Sequence, residues 1–136
     1  MVELLIGKKG TGKTKALIEK VNNALTVAKG NVLFISNSGD NMYDIKSKVR
    51  MANTSDFDVK SYEEFLGFIS GIVSRDYDIT NIFIDGIFKI VGSDNLEGFE
   101  SFLTRLESMS QKFNIAFVIS VSIDADTAPD YIKKLA

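Results

Sequence analysis

The residues of this sequence that could do chemistry begin close to its amino end, in the segment Gly7-Lys8-Lys9-Gly10-Thr11-Gly12-Lys13-Thr14. The segment follows the pattern Gly-x-x-x-x-Gly-Lys-Ser/Thr of a phosphate-binding loop at every defined position. Its glycines let the backbone curl so that consecutive N–H groups face phosphate oxygens. Lys13 can reach the β- and γ-phosphates, and the Thr14 hydroxyl can ligate Mg²⁺. We therefore predict that all eight residues form a nucleotide-binding loop.

A phosphate loop needs a partner that holds the magnesium, and the strongest candidate is Asp85. It ends the apolar run Asn81-Ile82-Phe83-Ile84, which is typical of a buried strand. A carboxylate in that position can orient Mg²⁺ through its water shell. The alternative is that Asp85 only caps the strand or starts a turn with Gly86. We predict Thr14 and Asp85 as the metal-binding residues.

Polar residues also stand near the ends of two other apolar runs. Ser120 and Ser122 end the run over residues 115–122 and share one face of a strand, because side chains alternate. Either serine could hydrogen-bond the γ-phosphate or the attacking water, or it could satisfy backbone groups in a crowded strand. Asn37 follows the run over residues 31–36. The candidate catalytic residues are therefore Asp85, Asn37 and Ser122.

Hydrolysis requires a group that orients or activates water, and the sequence offers no well-placed one. The residue after Asp85 is Gly86 rather than Glu, and Asp40 and Asp124 are the nearest acids in suitable loops. The spacing of Asp40 and Asp124 from the motifs gives no support for a catalytic role of either acid. Three arginines are available for stabilising transition-state charge, and their positions assign none of them to that role: Arg50, Arg75 and Arg105. The sequence predicts binding more firmly than turnover.

The elements that must position these residues alternate along the chain. Strands are predicted over residues 2–6, 31–36, 57–60, 81–85 and 115–122. Helices are predicted over residues 13–28, 42–51, 61–73, 94–113 and 130–135, and Ser61 with Glu64 forms a capping box. Alternating strands and helices imply right-handed crossovers and a mostly parallel sheet. We expect an α/β fold, a three-layer sandwich, in one domain over residues 1–136.

Composition narrows the classes of function. The 45% hydrophobic and 25% charged content is typical of a soluble globular protein. The absence of cysteine excludes disulfides and thiolate chemistry, and the absence of histidine removes the usual general base. The start of the strand and loop at Met1 argues against a secretory signal, and the apolar stretch over residues 115–123 is too short for a membrane span. We expect a cytoplasmic protein without a membrane partner.

The charge is spread unevenly. Residues 1–30 contain six Lys and two Glu, a net charge of +4, in a chain whose total is −2. Because this surplus coincides with the phosphate loop, a triphosphate explains it and nucleic acid is not indicated. Lys8 and Lys9 add charge beyond the motif, either for a polyanion or as a solvated loop. The expected cofactors are ATP and Mg²⁺, and the expected partner is a protein or a second copy of the chain.

In the order and spacing of its motifs, the chain resembles the RecA-like ATPases, in particular the replicative-helicase and KaiC branch. The phosphate loop, VLFISNSGDNMYDI, NIFIDGIFKIVG and IAFVISVSID carry this resemblance. It implies a P-loop NTPase core. In those relatives the second strand ends in a catalytic Glu, which Ser36-Asn37-Ser38 lacks. They also continue into a hairpin that supplies arginine or lysine fingers across subunits, and this chain stops at Ala136.

The chain also resembles a small bacterial family of P-loop ATP-binding proteins, some of which carry a twitching-motility (PilT-type) label. That label implies histidine-containing boxes, which a chain without histidine cannot form. Three functions remain open. The first is an ATP–Mg²⁺ switch with weak or partner-activated hydrolysis. The second is a non-hydrolysing partner-binding module stabilised by nucleotide, and the third is a small-molecule or nucleoside kinase.

Overall fold

Five apolar segments form one sheet in the computed structural model, which describes residues 1–41 and 43–136. The strands are β1 (Val2–Gly7), β2 (Asn31–Ser36), β3 (Arg50–Asn53), β4 (Ile79–Ile84) and β5 (Ala116–Ser122). The helices are α1 (Lys13–Val27), α2 (Tyr62–Arg75), α3 (Ile87–Val91), α4 (Phe99–Phe113) and α5 (Asp130–Lys133), with a 3₁₀ turn over Thr54–Phe57.

The strand order is β1-β5-β4-β2-β3, and every pair of neighbouring strands is parallel. A parallel sheet covered on both faces needs strands that are apolar throughout, and β2 meets this need with Val32 to Ile35 all buried. The order places the carboxyl ends of β1, β5 and β4 side by side. This arrangement confirms the predicted α/β fold with a parallel sheet.

Helices cover the sheet in two unequal layers. On one face α1 buries Leu17 and Val21 against Phe34 and Val118. On the other face α2, α3, α4 and α5 share a larger apolar cluster with the opposite side of the strands. The three-layer sandwich is therefore as expected. Within the described ranges, no helix is both long and apolar enough to cross a membrane.

The helix predicted over residues 42–51 is wrong for the residues that the structure describes. Met42 lies outside them, residues 43–49 form turns and Arg50 begins β3. Ile45 and Val49 have the spacing of a helix but pack onto the α1 layer from a non-helical segment. The Asn22 side chain of α1 holds this segment, because it donates to the Asp44 carbonyl at 3.1 Å and accepts from the Lys46 N–H at 3.0 Å. These tertiary bonds replace those of a helix.

The strand predicted over residues 57–60 is also wrong, since the additional strand lies earlier, at β3. Asn53 ends that strand because its side-chain oxygen accepts from the Ser55 N–H at 3.1 Å and starts the 3₁₀ turn. Asp58 then adopts a left-handed conformation with φ of 58°, which is incompatible with an extended strand. Local hydrogen bonding by the Asn53 side chain therefore favours a turn over a strand in this segment.

The Ser61 half of the capping box is confirmed, because Ser61 Oγ accepts from the Glu64 N–H at 3.0 Å. Glu64 Oε1 accepts at 2.8 Å from the N–H of Lys60, one residue before the cap, and not from that of Ser61. The helix predicted from Asp94 starts later, at Phe99. Asn95 Oδ1 accepts from the Glu97 N–H at 2.8 Å and holds a turn in its place. The terminal helix, α5, is shorter than the predicted span over residues 130–135.

Candidate functional site

The predicted phosphate loop connects β1 to α1 in the strand–loop–helix order that the motif requires. Gly12 precedes the helix with φ of 83°, a conformation that glycine adopts without strain. A Cβ atom on Gly7 would lie 2.8 Å from Thr11 Oγ1, so a side chain there would displace the Thr11 hydroxyl. Gly10, with φ of 79°, shares the conformation of Gly12, so two of the motif glycines are required by the backbone itself.

The loop is closed internally by the Lys8 carbonyl, which accepts from Thr11 Oγ1 at 2.7 Å and from Lys13 Nζ at 2.8 Å. Lys13 is partly buried, and this burial lowers the pKa of its ammonium group. The nearby Lys89 also lowers the Lys13 pKa, whereas the Asp85 carboxylate raises it. The protein therefore compensates the Lys13 charge incompletely, and a bound anion would complete the compensation.

Asp85 stands at the centre of a hydrogen-bonded chain that joins the loop to two strands. The Thr14 hydroxyl lies 3.2 Å from Asp85 Oδ1 and 3.3 Å from Oδ2. Ser120 Oγ donates to Asp85 Oδ1 at 2.9 Å and accepts from the Gly86 N–H at 2.7 Å. Because β4 and β5 are neighbours in the sheet, the two side chains meet at its carboxyl edge. Ser120 satisfies a backbone group and also orients the carboxylate.

This arrangement suits Mg²⁺. A Thr14 hydroxyl that donates its proton to Asp85 keeps its oxygen lone pairs free for a cation, and both groups supply the hard oxygen atoms that Mg²⁺ prefers. Within the described ranges, no group of three or more acidic side chains could hold a metal by itself. A metal here would take most of its ligands from phosphate and water, which is how Mg²⁺ is usually bound with nucleotides.

The loop and the strand ends enclose a cleft of about 900 Å³, which is within the range of small-molecule sites. Its lining brings together residues from the phosphate loop, from the ends of β4 and β5, and from α3 with the turn that follows it. The lining residues are Lys8, Lys9, Gly10, Gly12, Lys13, Thr14, Asp85, Gly86, Phe88, Lys89, Gly92, Ser93, Asp94, Ser120, Ser122, Ile123 and Asp124.

Most of the predicted site residues meet in this cleft. Gly7 and Thr11 do not line it, but they shape the loop as described above. Ser122 lines it, whereas Asn37 does not, because the Asn37 amide oxygen accepts from Thr54 Oγ1 at 3.2 Å beyond the end of β2. Asp124 lines the cleft and lies 3.6 Å from Lys8 Nζ, and Asp40 lies outside it.

The arginines of the described chain all lie away from the cleft. Arg50 pairs with Asp76 at 2.7 Å, and Arg105 Nη1 contacts both carboxylate oxygens of Glu63 at 2.9 Å. Arg75 does not line the cleft either. The structure thus agrees with the sequence in offering no arginine to a phosphate group at this site.

Sequence reasoning missed the wall formed by α3 and the turn after it. Phe88, Lys89 and residues 92–94 all line the cleft. The helix has only five residues, too few for a periodic pattern to reveal it. One signal was available, since Lys89 is a single charged residue within the otherwise apolar segment Ile87–Val91.

Among solved structures, the fold is similar to that of a KaiC-like protein from the hyperthermophilic archaeon Pyrococcus horikoshii, with a TM-score of 0.69. The sequences are 15% identical, and the match covers 98% of this chain and 67% of that chain. No protein-family model matches the sequence, and no curated protein matches it. The similarity shows a RecA-like α/β fold and lends no support to the twitching-motility label.

Proposed function

We propose that the chain binds ATP with Mg²⁺ in the cleft at the carboxyl edge of the sheet and acts as a nucleotide switch. The loop from Gly7 to Thr14 binds the phosphates, and Thr14 with Asp85 orients the magnesium. The observation that carries this proposal is the contact between the Thr14 hydroxyl and the Asp85 carboxylate at 3.2 Å. It joins a phosphate-loop pattern to a strand-end carboxylate, the two parts that a P-loop NTPase site combines.

The proposed residues have separate roles. Backbone N–H groups of the loop and the Lys13 ammonium bind phosphate oxygens, for which Lys13 leaves the Lys8 carbonyl. Ser120 positions Asp85 by donating to it at 2.9 Å. Magnesium, when bound, neutralises phosphate charge and links the nucleotide to Asp85 and Thr14. Loss of the γ-phosphate would alter this link, and the segment after β4, which lines the cleft, is the one that we expect to respond.

Hydrolysis in this proposal is weak or depends on a partner. In the described cleft the remaining carboxylates are Asp94 and Asp124, and Asp124 faces Lys8. An activating group would then come from another protein or from a second copy of the chain, as arginine fingers do in other NTPases. A module that binds nucleotide without hydrolysing it is the alternative that the same observations favour, and phosphate release with and without partners separates the two.

Calorimetry with ATP and GTP, each with and without Mg²⁺, tests the binding directly. Lys13→Ala should remove most of the increase in melting temperature that MgATP causes, because it removes the ammonium that contacts the phosphates. A ligand at 100 times its Kd stabilises the folded state by about 2.7 kcal/mol, so the loss is measurable. Lys29→Ala is the matched control, since Lys29 is exposed and lies outside the cleft. Equal ATP affinity in Lys13→Ala and the parent would contradict the assignment.

A further inference from the structure

Lys89 is a charged side chain of the cleft that the phosphate-loop motif does not include. We propose that it contacts the terminal phosphate of a bound nucleoside triphosphate and makes the site prefer triphosphate over diphosphate. This inference rests on the proposed function and assigns a specificity-determining residue to the same site. The cation comes from the chain itself, within α3, and not from a neighbouring subunit.

The backbone beneath Lys89 is held firmly. Its neighbours Ile87, Ile90 and Val91 are 0%, 1% and 4% exposed, because they pack into the larger core cluster. The Lys89 N–H donates to the Gly86 carbonyl at 3.0 Å. A short helix anchored on three buried residues therefore fixes the point from which the exposed lysine side chain extends.

The side chain runs beside the residue that follows Asp85. A Cβ atom placed on Gly86 would lie 3.7 Å from Lys89 Cδ and 4.0 Å from its Cγ. The same Gly86 donates its N–H to Ser120 Oγ, which in turn donates to Asp85. Lys89 thus lies next to the hydrogen-bonded group that is proposed to orient the metal.

The charge on Lys89 has no compensating carboxylate at contact distance. Within residues 1–41 and 43–136, no acidic oxygen lies within ion-pair distance of its Nζ, in contrast to Lys8, which faces Asp124 at 3.6 Å. Lys89 and Lys13 both line the cleft. A bound anion in the cleft would therefore meet the positive charge of both side chains.

The position of Lys89 determines which phosphate group of a bound nucleotide it would contact. The N–H groups of the loop would bind the inner phosphates of a nucleotide, and Thr14 with Asp85 would hold a magnesium ion that neutralises phosphate charge near the strand end. Lys89 lines the cleft beside Gly86, next to the strand end that would hold the metal, so we place the terminal phosphate within its reach. A diphosphate has no γ-phosphate to contact Lys89, so Lys89 should contribute to the affinity for the triphosphate only.

The test compares the affinities of the full chain for MgADP and for the Mg²⁺ complex of β,γ-imido ATP, which is not hydrolysed. In Lys89→Ala the triphosphate affinity should fall by about tenfold or more, the size expected for a hydrogen bond to a charged group. The MgADP affinity should stay within about twofold of the parent value. Lys89→Arg should restore most of the preference, and Lys29→Ala, which removes an exposed charge elsewhere, should change neither affinity.

Equal losses for the two nucleotides in Lys89→Ala would overturn the proposal and leave Lys89 as a general source of positive charge. Unchanged affinities would also overturn it while leaving the proposed function intact. If the parent binds neither nucleotide, both the proposed function and this inference fail. Because Lys89 is exposed, the variant is expected to fold, and unchanged circular dichroism and melting temperature of the unliganded chain check this.

Discussion

The Thr14 hydroxyl lies 3.2 Å and 3.3 Å from the two carboxylate oxygens of Asp85, although 71 residues separate these two residues in the chain. The contact joins the first turn of α1 to the end of β4 across the carboxyl edge of the sheet. Both groups are oxygen ligands of the kind that Mg²⁺ accepts. The relationship leads to a specific expectation about metal dependence.

Asp85→Asn keeps the shape of the side chain and removes its charge. It should weaken MgATP binding by about tenfold or more, since a charge-assisted interaction is lost, and should affect metal-free ATP binding much less. Calorimetry with Mg²⁺ and with a chelator measures the two affinities. Asp126→Asn is the charge-matched control, because Asp126 is exposed and does not line the cleft. Equal losses with and without the metal would make Asp85 a structural residue.

Turnover by the isolated chain should be slow. The described cleft holds no arginine, and fingers of that kind contribute about 10³–10⁵ to the rates of related reactions. We expect ATP hydrolysis far below the roughly 1–10³ s⁻¹ of typical enzymes and near the order of 10⁻³ s⁻¹ of unassisted GTPases. Single-turnover phosphate release measures it. Several turnovers per second from a purified monomer would contradict this, and Asp94→Asn and Asp124→Asn would then identify the acid.

Asn22 should contribute to stability through the segment over residues 43–49. Its side chain bonds the Asp44 carbonyl and the Lys46 N–H, so Asn22→Ala leaves both backbone groups without these partners. Both bonds are exposed to solvent, so water can partly replace them, and each contributes about 0.5–1.5 kcal/mol to the free energy of unfolding. Urea denaturation measures this cost, and Asn23→Ala, at an exposed neighbouring position, is the control. A loss no larger than that of the control would show that the segment is held by Ile45 and Val49 alone.

Tyr62 carries a buried hydroxyl that has no hydrogen-bond partner among the described residues, and its ring packs 5.2 Å from that of Phe102. Tyr62→Phe keeps the ring contact and removes the unpaired group. We expect the variant to be as stable as the parent at neutral pH, or more stable by about 1 kcal/mol. Thermal unfolding measures the difference, and a loss of more than that amount would mean that the hydroxyl has a favourable partner.

The same residue predicts a change at alkaline pH. Burial raises the pKa of Tyr62 to about 12, whereas the unfolded chain has the usual value near 10. The unfolded state therefore loses its proton first, so ionisation of Tyr62 leaves the free energy of unfolding unchanged below about pH 10 and lowers it as pH rises towards 12. Tyr62→Phe should lose less stability than the parent between these pH values. Identical pH profiles would show that Tyr62 does not control this range.

The phosphate-loop pattern and the main strands could be predicted from the sequence because they depend on neighbouring residues. Glycines set the conformation of the loop locally, and continuous apolar runs such as Val32 to Ile35 are what a sheet covered on both faces requires. The parallel connections followed from the alternation of strands and helices. These features predict a strand that ends at Asp85 and make Asp85 the candidate metal partner of the loop.

Two features of the structure depend on tertiary contacts and could not be predicted from local sequence patterns: the turns over residues 43–49 and the wall of the cleft formed by α3. The sequence predicts a helix over residues 42–51, but Asn22 of α1 supplies bonds that hold residues 43–49 as turns. The position of Lys89 in the cleft depends on α3. This helix is stabilised by the burial of Ile87, Ile90 and Val91 in the hydrophobic core. Its five residues form too few internal hydrogen bonds to be stable alone, so packing with distant strands determines this wall of the site.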